Sequence, residues 1–343
     1  VRLIIFITVY CLMMYMVYPQ TLASFIASLR NLIAPPLFLL FGYGIARRVK
    51  FKATCILYVA IGFFVYLFGL YEQFVNPNFW VERGLSKVWE LKGIKIGYGG
   101  LPMNVYSSEM VGGQQIRRMI SLFADPIHLG AFLFLSFLLA VYLRRKIIAF
   151  LFLTGCILTV SKGALLGVLI SLVIYVIINK AGTIYASLTS LFCGVCVIAF
   201  ILFSLSSSTG SMLAHINGFT GAFGSLVRHP FGLGCGNVGV LASLNGTVKS
   251  SITESGFGSL IGQIGLVGLL AYIYFYRQIF IVSRQCVDKR QKTILLCLSL
   301  SILFNMLFNE VGMSPNSCGP YFICIGIIIF HIKNNGSKVS FDF

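Results

Sequence analysis

Ten stretches of apolar residues dominate this chain, at 3–18, 22–46, 53–71, 126–143, 147–160, 163–178, 182–205, 256–276, 293–309 and 318–332. A helix of about 17 to 25 apolar residues crosses a hydrocarbon core of roughly 30 Å. In lipid a backbone must satisfy its own hydrogen bonds, and a helix does so. The pattern predicts an all-α, polytopic integral membrane protein of about ten transmembrane helices, a single membrane domain over 1–343. Of the 343 residues, 58% are hydrophobic and 10% charged, against about 25% charged in a soluble domain. A soluble enzyme and a DNA-binding domain are thereby excluded. The first 18 residues show no small-residue cleavage site, so the expectation is a retained span, not a removed signal peptide.

The net charge of +17 would by itself suit nucleic acid; its distribution says otherwise. Arg47, Arg48, Lys50 and Lys52 follow the second run, Arg144, Arg145 and Lys146 the fourth, and Arg277 through Lys292 the eighth, all on one side of the bilayer. That side collects 16 basic and 2 acidic residues, against 9 and 7 on the other, with Arg30 inside a span. By the positive-inside rule it is cytoplasmic, as are both termini. This topology requires 147–178 to be two helices, turning at Ser161-Lys162-Gly163. The 147–160 run would reach only about 21 Å, so Lys162 is expected below the outer surface, where a cation needs an anion or water. Ten cysteines, mostly within apolar runs, read as small core residues.

Two external segments are long, 72–125 and 206–255, and loops of that length are usually functional or disordered. Both carry Gly, aromatic and charged residues, and both are expected to fold over the outer face. Four elements are placed at outer helix ends: Arg117-Arg118 with Phe123-Ala-Asp-Pro-Ile-His-Leu-Gly130; Ser161-Lys-Gly-Ala-Leu-Leu-Gly167; His215 with Arg228-His-Pro-Phe-Gly-Leu-Gly-Cys-Gly-Asn237; and Glu254-Ser255 with Gln263-Ile-Gly-Leu-Val-Gly268. Converging, they would form an outward cavity with Arg117, Arg118, Lys162, Arg228 and Arg30 facing Glu254 as the single carboxylate near the later spans. Such a cavity suits a polyanion. Asp125-Pro126 reads as a helix N-cap with Pro in the first turn, His128 as a packed interior histidine, and Gly265-x-x-Gly268 as a close-packing pair. Glu254 also fits a helix N-cap, and the Gly-rich turn after Arg228 fits a phosphate-binding set of N–H donors.

In order and wording these elements resemble the Wzy-type polysaccharide polymerases (O-antigen and capsular) and the related O-antigen ligases. The resemblance rests on Asp125-Pro126, the Ser161-Lys-Gly run (Ser-Arg-Gly in most relatives), His215-Ile-Asn-Gly leading to Pro230-Phe-Gly-Leu-Gly, and Glu254-Ser255 before Gln-x-Gly-x-x-Gly. It implies a C-type glycosyltransferase-like fold in the bacterial cytoplasmic (inner) membrane, with its active site facing outward. It also implies a polyprenyl-diphosphate-linked oligosaccharide as substrate, and a chain-length regulator protein as a further partner. Ligases carry a His-Asn pair where this chain has Glu254-Ser255, and Arg where it has His215. Both departures favour a polymerase. In the expected reaction Lys162 and Arg228 stabilise the leaving diphosphate, and Glu254, with His215 second, accepts the proton of the acceptor hydroxyl. Direct attack inverts the anomeric centre, with no metal and no cofactor. The other readings are a ligase-type transfer to another acceptor and a non-enzymatic transporter of lipid-linked glycan.

Overall fold

The computed structural model describes residues 1–91, 94–111, 114–179, 187–195, 198, 202, 211–245 and 255–334. In chain order the helices are α1 Arg2–Val17, α2 Leu22–Ile45 and α3 Phe51–Leu70, which ends in a wide turn, Tyr71–Val75. Two short helices follow, α4 Phe79–Glu82 and α5 Leu85–Leu91, then an antiparallel hairpin of β1 Tyr106–Val111 and β2 Gln114–Arg117. The chain continues through α6 Pro126–Tyr142, α7 Lys146–Leu158, α8 Lys162–Ile178 and a helical stretch at 187–195, α9. The last four are α10 Ser211–Arg228, α11 Gly256–Gln285, α12 Lys289–Phe308 and α13 Pro315–Asn334. Leu22–Ile45, Phe51–Val75, Gly256–Gln285 and Pro315–Asn334 are long and apolar enough to cross a membrane, while α1, α6, α7 and α8 are apolar but shorter.

Two positions depart from the sequence reading. Within 206–255, expected as an external segment, 211–228 is helical. Its apolar residues Met212, Ile216, Phe219, Phe223 and Val227 recur every three or four positions, an amphipathic pattern that a search for continuous apolar runs passes over. The basic stretch after position 276 continues α11 as far as Gln285, as suits residues such as Arg and Gln with good helix propensity.

The chain forms two compact units, Val1–Thr54 with Ala214–Phe343, and Cys55–Leu213. In the first, α2 and α13 lie against each other backbone to backbone: a Cβ on Gly42 would stand 2.7 Å from the Ile323 Cα. Gly326 likewise faces Leu39 and Tyr43, so small residues set the approach. Pro35 and Pro36 stay inside α2. Pro36 has no N–H to give the Leu32 carbonyl, and the hydroxyl of Tyr272 in α11 donates to that oxygen instead, at 2.7 Å. α11 is itself broken. Ile264 leaves helical geometry and Gly265 takes φ 57°, ψ −148°. Gly265 thus serves a backbone break, and Gly268 faces the Ile264 side chain of its own helix; neither makes the helix–helix contact expected from the sequence.

In the second unit α6 packs on α7 and α8, with Gly130 against Ser161 and Gly155 against Leu133 and Tyr66. Residues between α3 and α6 fold around a small core of Trp89, Leu101, Val105 and Ile120. Trp80 ties this segment down by donating from Nε1 to the Ser121 carbonyl at 3.0 Å. Nine described cysteines are buried and form no disulfide among the described residues.

Candidate functional site

Lys162 is the first residue of α8, directly after a 13-residue α7, and its ammonium nitrogen is shielded from solvent. A helix of that length covers about 20 Å. The turn between the helices is tight: Val160 adopts φ 47°, and Ser161 is almost wholly buried. A Cβ on Gly130 would stand 2.6 Å from the Ser161 Cβ, so the first turns of α6 lie against this corner.

Arg118 reaches the same corner. Its Nε donates to the Thr159 carbonyl at 2.8 Å and its Nη1 to the Asn104 carbonyl at 3.1 Å. Thr159 is the C-cap of α7, so the guanidinium neutralises the negative end of that helix. Asn104 donates from Nδ2 to Asp125 Oδ2 at 2.8 Å. Asp125 caps α6 as expected, Oδ1 accepting the backbone N–H of Ile127 and of His128, each at 2.9 Å. The same oxygen lies 2.8 Å from His128 Nδ1, so His128 is the partner of a carboxylate, not the packed apolar histidine the sequence suggested. Burial raises the Asp125 carboxyl pKa, but the bonds and charge of His128, with the charge of Arg118, outweigh it and hold the value at about 2.

Arg117, one residue away, faces a different set. Its guanidinium pairs with the fully buried Glu72 carboxylate and donates to Gln73 Oε1 at 2.7 Å and to the Pro77 carbonyl at 2.9 Å. Glu72 also accepts the backbone N–H groups of Ile120 and Ser121. This pairing anchors the 72–125 segment to the end of α3.

In the other unit Arg228 ends α10 and is exposed. The Gly-rich turn behind it directs its N–H groups inward. Leu233 and Gly234 donate to the carbonyls of Gly262 and Gln263. Gly236 donates to Gln263 Oε1 at 3.3 Å, and Val240 to Glu310 Oε1 at 2.9 Å. In return the Pro230 carbonyl accepts from Leu266, past the break in α11. The turn is therefore a clasp on a broken helix, and those four donors are already used, against the expectation of a phosphate cradle. Gln263 completes the clasp, donating to the Val238 carbonyl and to Ser259 Oγ. Arg30 is exposed on α2 and donates to its neighbour Asn31.

Glu310, in the turn between α12 and α13, is a second carboxylate near the later helices, where the sequence reading had placed Glu254 alone. Burial raises its pKa, partly offset by the Val240 N–H and Ser259. It follows an apolar run much as Glu254 precedes one, and that symmetry was the signal for it. Glu254 lies outside the described residues, as does the side chain of His215. The N-cap of α11 is Ser255, whose Oγ accepts from the Gly258 N–H at 3.1 Å, so the capping role weighed for Glu254 belongs to its neighbour. Of the expected site residues, the second unit brings Lys162 and Arg118 to one corner and turns Arg117 toward Glu72; Arg228 and Arg30 belong to the first unit. Among the described residues no three His, Cys, Asp or Glu side chains are grouped to hold a metal ion.

No family model and no curated protein matches the chain. Fold and composition alone give the class: an all-α protein built on apolar helices of membrane-crossing length, with one small hairpin.

Proposed function

We propose that this chain is a membrane glycosyltransferase of the polysaccharide polymerase kind. It transfers a growing glycan from polyprenyl diphosphate to a lipid-linked repeat unit at the outer face of the bacterial inner membrane. The observation that carries the reading is Lys162: a shielded ammonium at a helix start, directly after the tight turn at Val160 and next to the end of α7 that Arg118 bonds. A fixed cation at such a place lowers the barrier for departure of a diphosphate. Arg228 is the second cation of the proposal. Glu254, and after it His215, are the bases that the sequence suggests. The motif resemblance supplies the substrate class, and the lack of described acidic or basic residues within the middles of α6, α7 and α8 favours surface chemistry over a transport path.

Purified protein given lipid-linked repeat units alone should yield a glycan ladder. Lys162→Arg should keep it, since charge and reach persist, and Lys162→Ala should abolish it at unchanged protein level. A Lys162→Ala protein that builds full-length chains would sink the diphosphate role. Transfer only to a different acceptor would point to a ligase, and substrate movement without bond formation to a transporter.

A further inference from the structure

The turn from α6 to α7 carries three consecutive cations, Arg144, Arg145 and Lys146, all exposed. Among the described residues none of them enters an ion pair. The Arg144 N–H donates to the Val141 carbonyl at 3.0 Å and the Arg145 N–H to the Ala140 carbonyl at 2.9 Å, a helix ending whose left-handed position is usually given to glycine. Arg144 holds that position at φ 59°, where a Cβ is strained, so the backbone alone would favour glycine. The strain points to a use for the side chain. Arg144, Lys146 and Val141 line one cavity of about 380 Å³, within the roughly 300–1,000 Å³ of small-ligand sites. The apolar flank continues past it: Val141, Ile147 and Phe150 are 46%, 79% and 63% exposed, and Ile147 and Phe150, three positions apart, are neighbours on one side of α7. The start of α7 has no side-chain cap and adds the positive end of a helix dipole.

We propose that this cavity binds an anionic phospholipid, independently of the polymerase reading above. The phosphate diester lies between Arg144 and Lys146 at the start of α7, and an acyl chain runs from Val141 along Ile147 and Phe150. Charge alone would serve a free phosphate; the exposed apolar side chains beside the cations commit the site to a lipid. Basic pockets at the ends of membrane helices hold acidic headgroups by this combination. The Arg144 guanidinium offers paired N–H donors to two phosphate oxygens, and the Lys146 ammonium adds a point charge. Arg145 is not among the residues that line the cavity and contributes only to the surrounding field, which salt screens.

The test uses the full chain in a nonionic detergent at low salt, titrated with dioleoyl phosphatidylglycerol and read by mass spectrometry of the intact complex and by thermal midpoint. The wild type should retain a phosphatidylglycerol in preference to phosphatidylcholine and unfold at a higher temperature with it bound. Arg144→Gly should weaken that binding about fivefold, and Arg144→Gly with Lys146→Gln about 30-fold, as one and two cations near an acidic headgroup would; Arg145→Gln should cost less. Because glycine suits the left-handed position, Arg144→Gly should unfold in lipid-free detergent no earlier than the wild type. Should it fail to fold, Lys146→Gln alone carries the same fivefold expectation. Equal retention of phosphatidylcholine would reduce the site to an apolar annulus, and equal losses from Arg144→Gly and Arg145→Gln to a general basic surface. Displacement of the lipid by glycerophosphoglycerol or inorganic phosphate at matching concentration would make it a free-phosphate site. Each of these three results overturns the assignment, and none bears on the polymerase reading.

Discussion

A carboxylate shut away from water has to be met by donors inside the protein, and Glu72 is met by Arg117 and two backbone N–H groups. Removing one partner of a buried pair leaves the other charge uncompensated, at a cost of about 3–5 kcal/mol. Glu72→Gln should therefore lower the unfolding midpoint of the purified protein markedly. Adding Arg117→Met should restore most of the loss, and simple additivity of the two changes would refute the pairing. Asp125 gives a pH dependence of definite sign. Its folded value, about 2, lies below the ordinary value of about 3.9, so its contribution is complete above the unfolded value and is lost as pH falls through the folded one. Between about pH 4 and 2 the wild type should lose more stability than Asp125→Asn, measured by thermal unfolding. The cap at Asp125-Pro126 was legible because its residues are adjacent in sequence. The Glu72–Arg117 pair was not, because 45 positions separate two ordinary charges and only the fold of the intervening segment joins them.

Among the elements, apolar runs predicted α1, α2, α3, α6, α7, α8, α11, α12 and α13 because their cause is local, length and hydrophobicity, whereas the amphipathic α10 has no continuous run to show it. The break in α11 has another cause. Nothing in Gln263-Ile-Gly-Leu-Val-Gly268 says which glycine ends a helix and which packs, and the answer comes from the turn at 230–239 docking there. At φ 57°, ψ −148° a Cβ on Gly265 would be strained and would stand 2.6 Å from the Phe231 carbonyl carbon. Gly265→Ala should thus destabilise by about 1–3 kcal/mol. At Gly268 φ is not in the left-handed region and the atoms nearest the new methyl belong to the Ile264 side chain, not to backbone, so Gly268→Ala should cost less. Equal losses from the two variants in denaturant unfolding would contradict this division of roles.

For the whole molecule the charge asymmetry makes the strongest demand, since the positive-inside reading predicts which ends of the helices face which solution. Single cysteines introduced at 83, 162 and 228 in a background without reactive thiols should react with a membrane-impermeant reagent from outside the cell, and cysteines at 145 and 289 only after the membrane is opened. Labelling of position 162 from the cytoplasmic side alone would invert every later helix. The clasp on α11 bears on how the molecule comes apart. Its main-chain bonds run from the turn at 230–240 into Gly262, Gln263 and Leu266, so neither partner can open without exposing the other's amides. Residues that look like a surface loop should then exchange their amide hydrogens as slowly as a buried helix, and Leu233, Gly234 and Leu266 should do so at one common rate, as a single cooperative unit.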